Sequence, residues 1–202
     1  MDRADREFAR RFAIALAAEL VFLAGRTWIV NAIETGVAQE LAWSAWRVPF
    51  IALYAWLARP FLFPKEERRP MPSHPLLWFA TLLVLADIPV MAATGTAEYR
   101  LTLALTAFLP ALREELLFRV ITQGFLERLV GPVASIVATS VLFVAYHYGA
   151  QPLGLLNVAG IFAAGVVLGA IYQRTRSLAV VTALHTAIDV LFALAPRSDF
   201  AP

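Results

Sequence analysis

The chain has 202 residues, a length that fits one domain, and 60% of them are apolar with a mean hydropathy of +0.68. A soluble domain sits nearer 45–50% apolar, so this excess calls for lipid as the solvent. The absence of cysteine excludes disulfides, thiolate metal sites and a cysteine nucleophile, while a net charge of +2 without a continuous basic face gives no sign of a nucleic-acid partner.

A membrane-spanning helix needs about 20 mostly apolar residues. Seven segments of the chain qualify, at roughly 12–31, 41–63, 75–94, 100–127, 132–149, 153–173 and 176–195. The first follows Arg3, Arg6, Arg10 and Arg11, carries Glu19 and Arg26, and is not followed cleanly by a small-residue cleavage site. It reads as a membrane helix rather than a cleavable signal peptide. Gly131-Pro132, Gly149 to Pro152 and Arg174 to Ser177 punctuate the later segments. Pro49, Pro89 and Pro110 lie inside predicted spans, where neighbouring helices can re-satisfy the backbone groups that a kink frees. The fold class expected is therefore all-α, a polytopic transmembrane bundle of about seven spans in a single domain over residues 1–202.

Charge sets the orientation. With the N-terminus inside, Arg3, Arg6, Arg10, Arg11, Arg59, Lys65, Arg68, Arg69, Arg128, Arg174 and Arg176 fall on the cytoplasmic side and only Arg100 and Arg197 on the other. Eleven against two is the bias of an inner-membrane protein with an odd number of spans. Trp28, Trp43, Trp46, Trp56 and Trp78 lie toward segment ends, as interfacial anchors do. The longest hydrophilic stretch, Pro64 to Pro75, reads as a cytoplasmic loop, and the compact, Ala- and Arg-rich chain suggests a bacterial source.

Ionisable groups at membrane depth are costly and usually mark function. The later segments carry Glu114, Glu115, Arg119, His147, His185 and Asp189. Glu115 and Arg119 are one helical turn apart and can pair, which leaves Glu114 to face another helix as a general base. Phe143 with His147, and His185 with Asp189, also share faces one turn apart. Two histidines and a glutamate from three spans are thus candidates to converge. Glu19 with Arg26, and the isolated Asp87, read as polar groups of helix packing. Gly165-x-x-x-Gly169 reads as a close helix approach.

The ordered set Glu114-Glu115-x-x-x-Arg119, Phe143-x-x-x-His147, the glycine-bearing helix Phe162-x-x-Gly165-x-x-x-Gly169, and His185-x-x-x-Asp189 resembles the CAAX-protease and bacteriocin-processing (CPBP, or ABI) group of intramembrane peptidases. It covers about residues 100–195, and it departs from the group at Asp189, where the pattern has asparagine. The resemblance implies a glutamic-type, metal-independent endopeptidase without a cofactor. Glu114, helped by His147, activates water; His185 and its partner at 189 stabilise the oxyanion; Glu115, Arg119 and Phe143 support the site. Two histidines and a glutamate are formally a zinc set as well, and that alternative stays open. An ionised aspartate cannot donate to an oxyanion as asparagine does, so Asp189 is either protonated or orients His185.

The chain has no Gly-x-Ser-x-Gly and no His-Glu-x-x-His, and neither Asp87 nor Asp189 sits in the Gly-Asp or Tyr-Asp setting of an intramembrane aspartyl pair. With the N-terminus inside, His147 lies about 15 residues up the fifth span, roughly 22 Å, which puts the site in the middle-to-outer bilayer. The partners expected are the lipid bilayer and a membrane-protein segment, or a lipidated or C-terminal tail, as substrate. A non-hydrolytic immunity or scaffold protein of the same fold is the competing reading. A proton-coupled transporter is disfavoured by the lack of an inverted repeat.

Overall fold

The computed structural model describes residues 3–62, 74–148 and 154–196. The predicted loop from Pro64 to Pro75 lies almost wholly outside them, as do Gly149 to Pro152 and Arg197. The described residues are helical, with no strand: α1 Arg3–Ala32, α2 Val37–Leu62, α3 His74–Met91, α4 Ala97–Thr106, α5 Phe108–Glu114, a π-helical stretch Glu115–Gln123, α6 Gly124–Val130, α7 Pro132–Tyr148, α8 Leu155–Thr175 and α9 Leu178–Leu194. Among the described residues, most of each predicted span is helical. By length and composition, two helices are long and apolar enough to cross a membrane, Asp5–Ala32 and Leu155–Thr175, and Pro75–Met91, Pro132–Tyr148 and Leu178–Leu194 are shorter apolar helices.

The fourth predicted span is not the regular helix expected over 100–127. It breaks at Ala107, where Pro110 has no N–H to give to the Thr106 carbonyl and its ring crowds that turn. From Glu115 it continues as π-helix, nine residues that are all buried. Extended π turns are rare and frequent at functional sites. The other punctuation acts as expected. Gly131 takes φ +80° between α6 and α7, Arg176 takes a left-handed φ of 51° after α8, and the Ser177 hydroxyl caps α9 by accepting from the Val180 N–H at 3.3 Å. Pro49 and Pro89 stay inside α2 and α3.

Beside an apolar core, the interior holds many charged and amide groups while large apolar side chains lie exposed. Glu19, Glu40, Arg47, Asp87, Arg113, Glu114, Glu115, Arg119, Gln123 and Gln173 are buried, whereas Leu20, Trp28, Leu76, Leu105, Val133 and Leu155 are exposed. An exposed apolar surface with charges gathered and paired inside fits lipid as solvent.

The helix ends also sort by charge. Arg11 donates to the Trp56 and Leu57 carbonyls at 3.2 Å, near the end of α2. Arg128 lies 3.8 Å from Asp5, and Arg176 donates to Glu127 at 2.8 Å, so these arginines gather at one end of the bundle. Arg100 instead holds the Ala193 and Ala195 carbonyls, at 2.8 and 2.7 Å, at the opposite end of α9.

The small residues of α8 do the packing that their spacing suggests. A Cβ on Gly165 would lie 2.9 Å from the Ser140 side chain and 3.1 Å from its Cα on α7, and one on Gly169 would lie 3.0 Å from Gln123 Oε1. The Ser140 backbone cannot yield as a flexible side-chain tip would. Gly165→Ala is therefore expected to destabilise the protein by about 1–3 kcal/mol, read as a lower thermal midpoint in detergent.

Candidate active site

The end of α5 with the π stretch that follows it, α7 and α9 bring the three motifs together. Glu114 Oε2 lies 3.9 Å from His147 Nε2 and 3.9 Å from His185 Nε2. Each gap is too long for a hydrogen bond and the right size for one water to bridge. The three side chains, with Asp189, open on a single cavity of about 320 Å³, at the small end of the range for ligand sites.

Each residue is held by a distinct local cause. His147 sits one turn after Phe143, and its Nδ1 is 2.8 Å from the Phe143 carbonyl. A carbonyl only accepts, so Nδ1 donates, and in the neutral ring Nε2 keeps its lone pair toward Glu114. His185 Nδ1 lies 2.9 Å from Glu115 Oε1, and Arg119 Nε donates to the other oxygen of Glu115 at 3.1 Å. Glu115 and Arg119 are both fully buried. Phe143 packs between the two histidines, with ring centroids 4.5 Å from His147 and 5.9 Å from His185. The Arg119 guanidinium lies over the same phenyl ring at 5.0 Å.

The expected pairing of Glu115 with Arg119 is present, and Glu115 does more than expected. The nitrogen of His185 that an orienting acceptor must hold is taken by Glu115. Asp189 Oδ1 lies 3.7 Å from the other nitrogen, Nε2, which faces the cavity. Asp189 is thus placed beside the reacting space instead of behind the ring. Among the described residues, no group of three or more His, Asp or Glu side chains is spaced to hold a metal ion.

A second buried network was not foreseen. Glu19 was read together with Arg26 as packing, but the cation that pairs with it is Arg113, whose Nη1 donates to Glu19 Oε2 at 2.6 Å. The Tyr54 hydroxyl donates to the same oxygen at 2.6 Å. Arg113 also donates through Nη2 to the Tyr146 hydroxyl, next to His147. That Nη2 is 3.7 Å from Glu114 Oε1. Arg26 instead stacks over Trp43, at 4.7 Å from the ring centroid. The first two helices therefore reach the site through one fully buried arginine. The signal available in the sequence is charge: Arg113 and Glu19 both lie at membrane depth and need partners.

The arrangement defines a class, a helical protein with a carboxylate facing two histidines in a buried cavity. Residues 96–191 match the family model described as Rce1-like, type II CAAX prenyl endopeptidase Rce1-like, which is consistent with the CPBP group named from the motifs. No curated protein and no solved structure matches the chain.

Proposed function

We propose that this protein is a glutamic-type intramembrane endopeptidase, a single domain crossing the membrane about seven times, that hydrolyses a peptide bond in a membrane-associated protein or its C-terminal segment. The observation that carries the reading is the position of Glu114 Oε2, 3.9 Å from Nε2 of both histidines inside one cavity.

In this reading a water between Glu114 and His147 attacks the scissile carbonyl carbon, and its proton passes to Glu114. His147 Nε2 offers the second acceptor that aligns the water. The carbonyl oxygen becomes an oxyanion, and His185, as an imidazolium with its Nδ1–H held by Glu115, turns Nε2–H toward it. Collapse breaks the C–N bond, and the proton held by Glu114 moves to the leaving amine nitrogen. The new carboxyl and amine then leave. Atoms balance with water as the only co-reactant, and neither metal nor cofactor enters.

Arg113 and its partners set the rotamer of Glu114 from the side away from the histidines. The sorting of Arg11, Arg128 and Arg176 to one bundle end and Arg100 to the other supports the orientation with the N-terminus inside a bacterial inner membrane.

The test is a processing assay in a deletion background, with the candidate substrate chosen among membrane proteins that the wild-type chain shortens. Glu114→Ala and His147→Ala are expected to insert normally and to abolish processing. Full complementation by both variants overturns the peptidase and favours the scaffold or immunity reading.

Asp189 gives a separate prediction. It stands on the cavity side of His185, where the family pattern has asparagine, so its useful contribution is a donated hydrogen bond. Asp189→Asn should keep or raise kcat. A large loss instead assigns the role to the carboxylate charge.

A further inference from the structure

The cavity has a cation that the proposed hydrolysis does not use. Arg47 of α2 lines it together with Glu114, His147 and His185. The arginine is buried and anchored from behind. Its Nη1 donates to Glu40 at 2.7 Å, and the Thr106 hydroxyl of α4 donates to the same Glu40 oxygen at 2.9 Å. The guanidinium also lies over the Trp43 ring, 5.1 Å from its centroid.

With Nη1 engaged, Nε and Nη2 are left. Neither donates to a described residue, and neither is among the sealed polar atoms that lack a partner. Both therefore keep accessible surface, on a side chain that lines the cavity. Nε and Nη2 form one edge of the guanidinium, and that edge can hold both oxygens of a carboxylate at once. Among the described residues no carboxylate fills it. Asp189, on the same cavity, comes within ion-pair distance of His185 alone, at 3.7 Å. The balance of charge points the same way. Arg26 of α1 stacks on the same indole at 4.7 Å and makes no hydrogen bond or ion pair to a described residue. Glu40 is the one described carboxylate paired with these two arginines, so one positive charge is left for an incoming carboxylate to balance.

Resting on the peptidase reading above, we propose that Arg47 is a specificity residue, which binds a carboxylate of the substrate near the scissile bond through Nε–H and Nη2–H. That carboxylate is an Asp or Glu side chain or the free end of the substrate chain.

The experiment uses the full chain in detergent and a synthetic pool of random peptides, half with a free terminal carboxylate and half amidated. Cuts are mapped by mass spectrometry, with Glu114→Gln as the blank. The wild type is expected to require a carboxylate at one fixed distance from the cut. For the best peptide, kcat/KM should fall at least about tenfold when that group is made an amide. A fall when Asp or Glu is exchanged for its amide identifies a side chain, and a fall on amidation of the end identifies the terminus; either result supports the role. Arg47→Gln alone would strand the buried Glu40, so it is combined with Glu40→Gln. The double variant should still cut, with the ratio of acid to amide near one. Glu40→Gln alone keeps the arginine and should keep the ratio. A wild type indifferent to carboxylates, or a double variant with the preference unchanged, overturns the role of Arg47 and leaves the peptidase intact. Absence of any cut that depends on Glu114 overturns the peptidase itself.

Discussion

Glu114→Gln should remove hydrolysis and leave the protein folded. Glutamine keeps the size and the hydrogen-bonding oxygen of the side chain but cannot take a proton from water. Positioned acid–base groups contribute about 10²–10⁴-fold, and here the same carboxyl serves the attack and the leaving amine, so kcat/KM should fall by about 10³-fold or more. Stability should barely change. Arg113 keeps its 2.6 Å bond to Glu19, and Glu114 makes no contact closer than 3.7 Å to any charged group among the described residues. The check is cleavage in proteoliposomes beside the thermal midpoint of the same preparation. A variant that keeps more than about a tenth of the wild-type rate takes Glu114 out of the proton-transfer role.

The sequence and the structure agree where a local rule sufficed. Apolar runs and Gly-Pro punctuation marked the helices, and i,i+4 spacing marked the faces that carry Glu115 with Arg119 and Phe143 with His147. What stayed hidden had no local signature. The π stretch from Glu115 to Gln123 carries polar and apolar residues at ordinary helical spacing, so nothing in the sequence marks a change of helical pitch there. The Ala107 break needed the knowledge that neighbours tolerate the bond lost at Pro110. Glu19 and Arg113 are 94 positions apart, and only the bundle decides that Arg113, not Arg26, faces Glu19. Asp87 looked isolated because its neighbour is the space left by Gly160. The most consequential shift concerns Glu115. Spacing pairs it with Arg119 alone, and three-dimensional placement gives it His185 as well, which in the proposed reading makes the ion pair the orienting partner of that imidazole.

That double duty can be separated by experiment. Arg119→Met leaves the fully buried Glu115 with only His185 as partner. Breaking a buried pair from one side typically costs about 3–5 kcal/mol, so this variant should be strongly destabilised in a denaturant titration. Replacing both members, as in Glu115→Leu with Arg119→Met, removes both charges and fills similar volume. Such exchanges are often neutral or better, so stability should return to within about 1–2 kcal/mol of wild type. Activity should not return with it, because His185 Nδ1 has lost its acceptor and Nε2 is no longer aimed at the oxyanion. Loss of one oxyanion donor costs about 10²–10³-fold in kcat, and the double variant should show a defect of that size. Glu115→Gln with Arg119→Met makes the internal control. It is also uncharged, but its amide oxygen still accepts from Nδ1–H, so it should recover part of the rate at similar stability. If the Leu–Met protein is as active as wild type, Glu115 and Arg119 only hold helices together and His185 is oriented by something else. If the Gln–Met protein is the more active of the two, the carboxylate earns its place by aiming the imidazole, with the arginine there to make burying that carboxylate tolerable.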